Sequence, residues 1–217
     1  MALCEAEGWR CVDLGELARP SQLREATWAR AQEALKCLSV GCDDSLRSQR
    51  FLSRVLKIVS MMASPYDISF FLDADTMPCV SGGMLFSLLR YDESSSLADV
   101  FDVMSAMNHN GGLSIVPKQA KRKDPPRAFY QMNGGVLVVA NYKPIVQQFL
   151  ADWLHRIDTD IFNKILFKDG VTLDQPPLRD TLFDYLRRRN LTFYPLPPMW
   201  NFRSRTTPFL SLTLVSS

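Results

Sequence analysis

The stretch at 68–76, Ile-Ser-Phe-Phe-Leu-Asp-Ala-Asp-Thr, constrains the fold of this chain most. Its apolar run is too short for a helix and lies between Pro65 and Pro78, so we expect a strand buried on both faces, as in a parallel α/β sheet. Asp73 and Asp75 stand where that strand should end. Ligands bind at the carboxyl ends of strands in open α/β sheets. This point is therefore the first candidate site.

The two carboxylates predict a cation. Asp73 and Asp75 are one residue apart, and paired carboxylates at a buried strand end repel each other unless a cation lies close by. Hard oxygen ligands with open positions suit Mg²⁺ or Mn²⁺ that also binds a diphosphate. Asp73 and Asp75 are therefore candidate metal ligands. The alternative is an acidic, solvated turn that binds no metal.

Composition narrows the classes of protein to consider. The 217 residues suffice for one sizeable core and contain no repeats, so we expect a single domain over 1–217. A net charge of +2 is far below that of a general nucleic-acid binder. The five cysteines lack C-x-x-C spacing, which argues against a zinc site.

Targeting signals are not expected from the pattern of charges. No apolar run is long enough to span a membrane. Glu5, Glu7 and Arg10 interrupt the N-terminal stretch, so we expect no signal peptide. The compartment stays open between the cytoplasm and the lumen of the secretory pathway.

Residues 45–63 are predicted to form the best-defined helix. Its core face repeats apolar residues at helical spacing, namely Leu52, Val55, Val59 and Met62. A second face is basic and consists of Arg47, Arg50, Arg54 and Lys57. A solvated basic stripe explains Arg47 and Arg50. Lys57 differs, because the helix runs through a short turn into the acidic strand, where a lysine could reach a phosphate.

The middle of the chain is predicted to hold two helices, a strand and a loop. The helices are expected over 84–90 and 97–107, and the inward residues of the second are Leu97, Val100, Phe101 and Met104. A strand is expected over 113–116. Residues 117–129 carry five basic side chains and one acidic side chain. We expect either a solvated loop, or a lid or acceptor contact over an anionic site.

Residues 131–139 combine a polar opening with a buried strand. Asn133, Gly134 and Gly135 precede a run of apolar residues. Glycines let the backbone approach a ligand closely, and Asn133 offers both a donor and an acceptor. The alternative is a bulge in which the glycines only relieve crowding. A helix with Pro144 in its first turn is expected to follow.

Asp174 has two interpretations. It precedes a helix predicted over 178–189, whose expected inward residues are Leu182, Tyr185 and Leu186, so it could be the N-cap of that helix. A carboxylate at a helix start could instead point into a cleft and act on a hydroxyl group. The sequence pattern leaves both interpretations open. A strand over 191–194 is expected after the helix.

Several motifs taken in order resemble those of nucleotide-sugar-dependent glycosyltransferases of the GT-A fold, most closely family 8, with its glycogenin-like and galactinol-synthase-like enzymes. Lys57 lies sixteen residues before the first acid, and Phe-Leu-Asp-Ala-Asp-Thr at 71–76 resembles the D-x-D motif. Asn-Gly-Gly-Val at 133–136 is similar to F-N-S/A-G-V, although Met132 and Gly135 replace its usual residues. Asp-Gln at 174–175 resembles D-Q, and Leu-Pro with Trp-Asn at 196–201 resembles L-P-x-x-Y-N.

The resemblance implies a Rossmann-like mixed sheet flanked by helices, and a metal-dependent transfer of sugar from a nucleoside-diphosphate sugar, such as a UDP-sugar, to a hydroxyl. The acceptor would be a glycan, a polyol or a protein. It implies these donor-binding residues: Lys57, Asp73, Ala74, Asp75, Asn133, Gly134 and Gln175. Asp73 and Asp75 would hold Mn²⁺ or Mg²⁺, and Asp174 would be catalytic. Family 8 retains anomeric configuration, whereas an inverting relative would need a carboxylate base, for which Asp174 is again the candidate.

Two departures from the family pattern affect these expectations. Residues 1–7 look like the tail of a helix and 9–14 like a strand, so the first strand of the family is expected to be missing. The late H-x-x-G-x-x-K motif is also missing. The sequence is therefore expected to be either truncated at both ends or a divergent member.

A haloacid-dehalogenase-type phosphatase is the rival enzyme. The acidic stretch also matches its h-h-h-h-D-x-D-x-T motif, with Asp73 as the nucleophile. Against it, no acidic pair at a later strand end completes the Mg²⁺ site. A third possibility is a binding domain of the transferase fold that has no catalytic activity.

Overall fold

The computed structural model of this protein describes residues 20, 21, 24–29, 31, 32, 46–73, 101–107, 129–162, 174–197 and 200. Its labelled helices are α1 (Leu46–Met62), α2 (Pro144–Phe162) and α3 (Gln175–Arg188). Its strands are β1 (Ile68–Leu72), β2 (Val103–Met107), β3 (Met132–Ala140) and β4 (Phe193–Leu196). Residues 25–29 and 31–32 are also helical. No described helix combines the length and the hydropathy that a transmembrane span requires.

The four strands form one mixed sheet in the order β1-β3-β2-β4. β3 is antiparallel to both β1 and β2, and β2 is parallel to β4. Strands β1, β2 and β4 therefore end at the same edge of the sheet, and β3 begins there. This edge is called the site edge below. The expected mixed α/β fold class is confirmed.

The alternation of side chains along the strands gives the sheet two buried faces. Leu137 and Val139 of β3 belong to the cluster that includes the apolar faces of α1, α2 and α3. Val136 and Val138 belong to a second cluster on the opposite face. All nine residues of β3 are buried, so this strand is the centre of the described core.

Several predicted elements are confirmed with small shifts in their bounds. The helix expected over 45–63 is α1, with Val55, Val59 and Met62 buried as predicted. The strand expected at the acidic stretch is β1, and Pro144 is the first residue of α2. The helix expected over 178–189 begins three residues earlier, because Pro176 and Pro177 fit its first turn.

The helix expected over 97–107 is wrong where the structure describes it. Residues 103–107 form β2, which is hydrogen-bonded between β3 and β4. Val103 joins the cluster on the helical side, whereas Met104 and Ala106 join the other cluster. The spacing of Val100 and Met104 imitates a helix, but a five-residue run that is apolar on both sides fits a central strand equally well.

Two burial predictions also need correction. β1 was expected to be buried on both faces within a parallel sheet, yet all five of its residues are half-buried and it pairs antiparallel with β3. Leu186 was expected to face inward and is 37% exposed, because it lies on the outer side of the last turns of α3. The expectations for 1–14, 84–90, 113–116 and 117–128 lie outside the described residues.

Truncating Leu137 tests the position of the core. Leu137 is fully buried in β3, so Leu137→Ala should lower the free energy of unfolding by about 2–5 kcal/mol in urea denaturation. The matched control is Leu186→Ala on the exposed side of α3, which should change it by less than about 0.5 kcal/mol. Equal effects of the two substitutions would contradict the described packing.

Candidate functional site

The site edge brings together residues that are far apart in the sequence. Asp73 directly follows β1, and Asn133 and Gly134 lie at the start of β3, which runs in the opposite direction. Asp73 also shares a face of the sheet with Phe71, two residues earlier, and α1 packs on that face. Asp174 precedes α3, and its carboxylate also lies at the site edge, where it contacts Lys57.

Lys57 is the centre of the site. Its ammonium lies 3.0 Å from Asp73 Oδ1 and donates a hydrogen bond of 2.9 Å to Asp174 Oδ2. It also lies 5.1 Å from the centre of the Phe71 ring. Only 8% of the Lys57 side chain is exposed, so the solvated-stripe explanation does not apply to this residue. One buried cation therefore compensates two carboxylates, as a carboxylate pair at a strand end requires.

The carboxylate of Asp174 does not cap α3, although the residue occupies the N-cap position. Its backbone is helical, with φ −88° and ψ −22°, and its side chain makes no capping hydrogen bond. An N-cap side chain accepts from the second or third N–H of a helix. Those positions are Pro176 and Pro177, which have no N–H. The N-cap interpretation is thus excluded, and the carboxylate is directed to Lys57.

Asp174 is held as an anion in a buried position. Burial by itself raises the pKa of this carboxyl group, but the charge and hydrogen bond of Lys57, together with the charge of Arg54, bring the pKa below its ordinary value. The Trp153 indole N–H donates a hydrogen bond of 3.1 Å to the Asp174 carbonyl oxygen and fixes its backbone. The site therefore presents a fixed negative charge beside the Lys57 ammonium.

The two glycines of β3 make room for the carboxylates. A Cβ on Gly134 would lie 2.9 Å from Asp174 Oδ2, and a Cβ on Gly135 would lie 2.6 Å from Asp73 Oδ2. Both distances are shorter than van der Waals contact. The backbone of Gly135 also accepts a hydrogen bond of 2.8 Å from the Asp73 N–H. Any side chain at these positions would displace the acids, so the glycines relieve crowding against Asp73 and Asp174, as the structural alternative expected. Their close approach to a bound ligand stays a prediction.

Asn133 shapes this part of β3. Its side-chain oxygen accepts a hydrogen bond of 2.7 Å from the Gly135 N–H, and its carbonyl oxygen accepts one of 2.9 Å from the Ser105 hydroxyl. The pairing with β2 is irregular here, since residues 133–136 lie opposite Ala106 alone. The glycines were expected just before the strand and instead lie inside it, at this bulge.

Of the predicted site residues, the structure brings together Lys57, Asp73, Asn133, Gly134 and Asp174. Gln175 is the first residue of α3 and is half-buried. Ala74 and Asp75 lie outside the described residues.

Sequence reasoning missed three residues of the site. Arg54 Nε lies 3.9 Å from Asp174 Oδ1, and the position of Arg54 one turn before Lys57 was a usable signal. Ser105 falls in the stretch that the sequence predicts as a helix. The sequence indicates Trp153 only as a core residue, and no local pattern indicates its bond to Asp174.

Of the two described carboxylates at this site, Asp73 is more open to a divalent ion than Asp174. Asp73 Oδ1 faces Lys57, whereas Asp73 Oδ2 lies in the space that Gly135 leaves open, and the side chain is 26% exposed. Among the described residues, no three acidic, histidine or cysteine side chains cluster as a metal site. Asp73 alone is compatible with a weakly held ion that takes further ligands from a bound phosphate and water.

Comparison with known proteins gives one similar structure. The sequence matches no family model and no curated protein. Among solved structures, the chain is similar to mouse xyloside xylosyltransferase 1 in its apo form, with a TM-score of 0.41 and 15% sequence identity. The match covers 78% of this chain and 60% of the mouse chain.

Removing the charge of Asp174 tests the electrostatics of the site. Because the pKa of Asp174 is lower in the folded protein than its ordinary value of 3.8, the ionised group stabilises the fold above that value and loses this effect as the pH falls through the folded pKa. Asp174→Asn should therefore lower the free energy of unfolding by about 1–3 kcal/mol near pH 7. The difference from the unsubstituted protein should shrink near pH 3.

Urea denaturation at both pH values provides the measurement. Asp67→Asn is the matched control, because Asp67 is exposed and its substitution should cost less than about 0.5 kcal/mol at either pH. A destabilisation by Asp174→Asn that stays constant or grows on acidification would contradict the ionised, Lys57-paired state.

Proposed function

We propose that this chain is a glycosyltransferase domain of the GT-A fold. In this proposal it transfers a sugar from a nucleoside-diphosphate sugar, in the first place a UDP-sugar, to the hydroxyl of a glycan, polyol or protein acceptor. The observation that carries the proposal is the shared ammonium of Lys57, which unites three of the motifs that resemble family 8. These three motifs supply Lys57, Asp73 and Asp174, and a fourth supplies Gly134, which lies against the Asp174 carboxylate.

The charges at the site edge suit a donor diphosphate. Asp73, together with Asp75, would hold Mn²⁺ or Mg²⁺, and such an ion stabilises the negative charge of a departing nucleoside diphosphate. Lys57 is the cation that can shift from the carboxylates to a phosphate oxygen. Its neighbour Arg54 lies on the same face of α1 and contacts Asp174, so that carboxylate keeps a cation when Lys57 moves.

Asp174 is better suited to binding hydroxyl groups than to removing a proton. A general base works best when its pKa lies near the operating pH. Burial raises the pKa of Asp174, but without a bound donor Lys57 and Arg54 hold this pKa below its ordinary value. Arg54 stays beside the carboxylate when Lys57 shifts to a phosphate, so in this proposal the group is a weak base that stays charged. Its carboxylate can accept hydrogen bonds from sugar hydroxyls or stabilise positive charge at the anomeric carbon. This favours the retaining interpretation over an inverting mechanism with Asp174 as the base.

The phosphatase alternative uses fewer of these contacts. It would explain Asp73 as a nucleophile and Lys57 as its counterion. It would leave the Asp174 carboxylate, which is directed away from its own helix, without a role. The transferase proposal uses all of these features.

Turnover of a UDP-sugar tests the proposal. With Mn²⁺, the protein should bind UDP more tightly than without it, and it should slowly hydrolyse a UDP-sugar when no acceptor is present. Asp174→Asn should leave the UDP affinity nearly unchanged in calorimetry but lower hydrolysis by about a hundredfold or more, as expected when a positioned charge is lost. Asp67→Asn, which changes an exposed carboxylate, is the control that should alter neither value.

The other outcomes separate the alternatives. Trapping of beryllofluoride at Asp73, with no effect of UDP-sugars, would establish the phosphatase instead. Binding of UDP and Mn²⁺ without turnover of any UDP-sugar would indicate the binding domain that has no catalytic activity.

A further inference from the structure

We propose that Pro176 and Pro177 are positioning residues that keep the Asp174 carboxylate available to Lys57 and to a bound substrate. They do so because they lack the two N–H groups that would otherwise hold this carboxylate at the start of α3. The inference concerns the structure of the site and applies to substrate only if the proposed transferase function holds.

The start of a helix attracts a nearby carboxylate. The first N–H groups of a helix have no partner within it, and a carboxylate at the N-cap is among the best acceptors for them. The positive end of the helix dipole adds to this attraction. An aspartate immediately before a helix is therefore normally captured by that helix, and a captured carboxylate is not free to serve another group.

The sequence after Asp174 removes the N–H groups that would attract its carboxylate. Asp174 is followed by Gln175, Pro176 and Pro177, so both N–H groups that an N-cap side chain uses are absent. The backbone oxygen of Asp174 still accepts the first helical hydrogen bond, from Leu178 N–H at 3.1 Å. The backbone hydrogen bonds of the helix thus begin at Asp174, but the helix offers no N–H group to the Asp174 side chain.

The Asp174 carboxylate is directed to Lys57 instead. Asp174 Oδ2 accepts a hydrogen bond of 2.9 Å from Lys57, and Gly134 leaves room for it there. Lys57 is shared with Asp73, at 3.0 Å. When a phosphate draws Lys57 away, a competing pair of N–H groups would capture Asp174 as its backbone turned from the present helical φ and ψ to the extended conformation of an N-cap. With prolines at both positions no such competitor exists, and the carboxylate stays directed at the site.

Prolines in a first turn also have a purely structural explanation, since their fixed φ suits a helix start and stiffens the unfolded chain. The two explanations predict different results for Pro176→Ala. If the role is structural, stability falls and activity falls only with it. If the role is to remove a competitor, stability is kept while the behaviour of Asp174 changes. Pro176 is the better site for the test, because it is half-buried whereas Pro177 is buried.

Hydrogen exchange of the amide that Pro176→Ala introduces at position 176 gives a readout that does not depend on activity. Measured by NMR, this amide should exchange at least about tenfold more slowly than in Pro176→Ala/Asp174→Ala, because the Asp174 carboxylate accepts from it. UDP, which competes for Lys57, should increase the protection. Equal exchange rates in the two proteins, with and without UDP, would overturn the proposal.

Kinetics gives the second readout. Pro176→Ala should lower kcat for hydrolysis of the UDP-sugar by about tenfold, with KM and the thermal midpoint nearly unchanged. The matched control is Pro144→Ala, which removes an exposed proline from the first turn of α2, where the preceding residue, Lys143, has no carboxylate of its own for a new N–H to capture. It should leave kcat unchanged.

The outcomes distinguish this inference from the proposed function. A fall in kcat that only follows a fall in the thermal midpoint would overturn the positioning role. If no UDP-sugar is turned over by the unsubstituted protein, the transferase proposal fails, and the amide exchange alone still decides whether the prolines free Asp174.

Discussion

The site depends on one ammonium that serves two carboxylates. A carboxylate removed from water is costly unless a cation and hydrogen bonds compensate it, and Asp174 is buried with Lys57 as its hydrogen-bond donor. The same ammonium faces Asp73 at the end of β1. Lys57 therefore fixes α1, β1 and the start of α3 relative to one another. The glycines of β3 follow from this arrangement, because a side chain at either position would occupy the space of an acid.

Much of the site edge could be predicted from the sequence, because the signals were local and strong. The acidic stretch after a short apolar run located β1 and Asp73, and the helical period of 45–63 placed Lys57 near that strand. Asn133 and Gly134 were identified by their position before a buried strand. The contacts that join these elements are between residues far apart in the sequence. The antiparallel partner of β1 and the burial of Lys57 come from long-range packing that no window of sequence contains.

Two failures have specific physical reasons. Residues 103–107 were predicted as helix because their apolar spacing fits both periods, and only the hydrogen bonds of the neighbouring strands select the strand. The position of Asp174 before a helix fits both a cap and a site residue, but the residues that follow it exclude the cap. Two prolines at the second and third helical positions remove the N–H donors that a capping side chain needs. The stretch Asp-Gln-Pro-Pro therefore predicts that the aspartate carboxylate does not cap its own helix.

A double-mutant cycle on Lys57 and Asp174 tests the central claim most directly. The free energies of unfolding of Lys57→Met, Asp174→Asn and the double variant give the coupling between the two side chains. A buried, hydrogen-bonded charge pair should couple by about 1.5 kcal/mol or more. The matched pair Arg156 and Asp184, whose side chains are 32% and 27% exposed, should couple by less than about 1 kcal/mol. A Lys57–Asp174 coupling no larger than that of the surface pair would contradict the account.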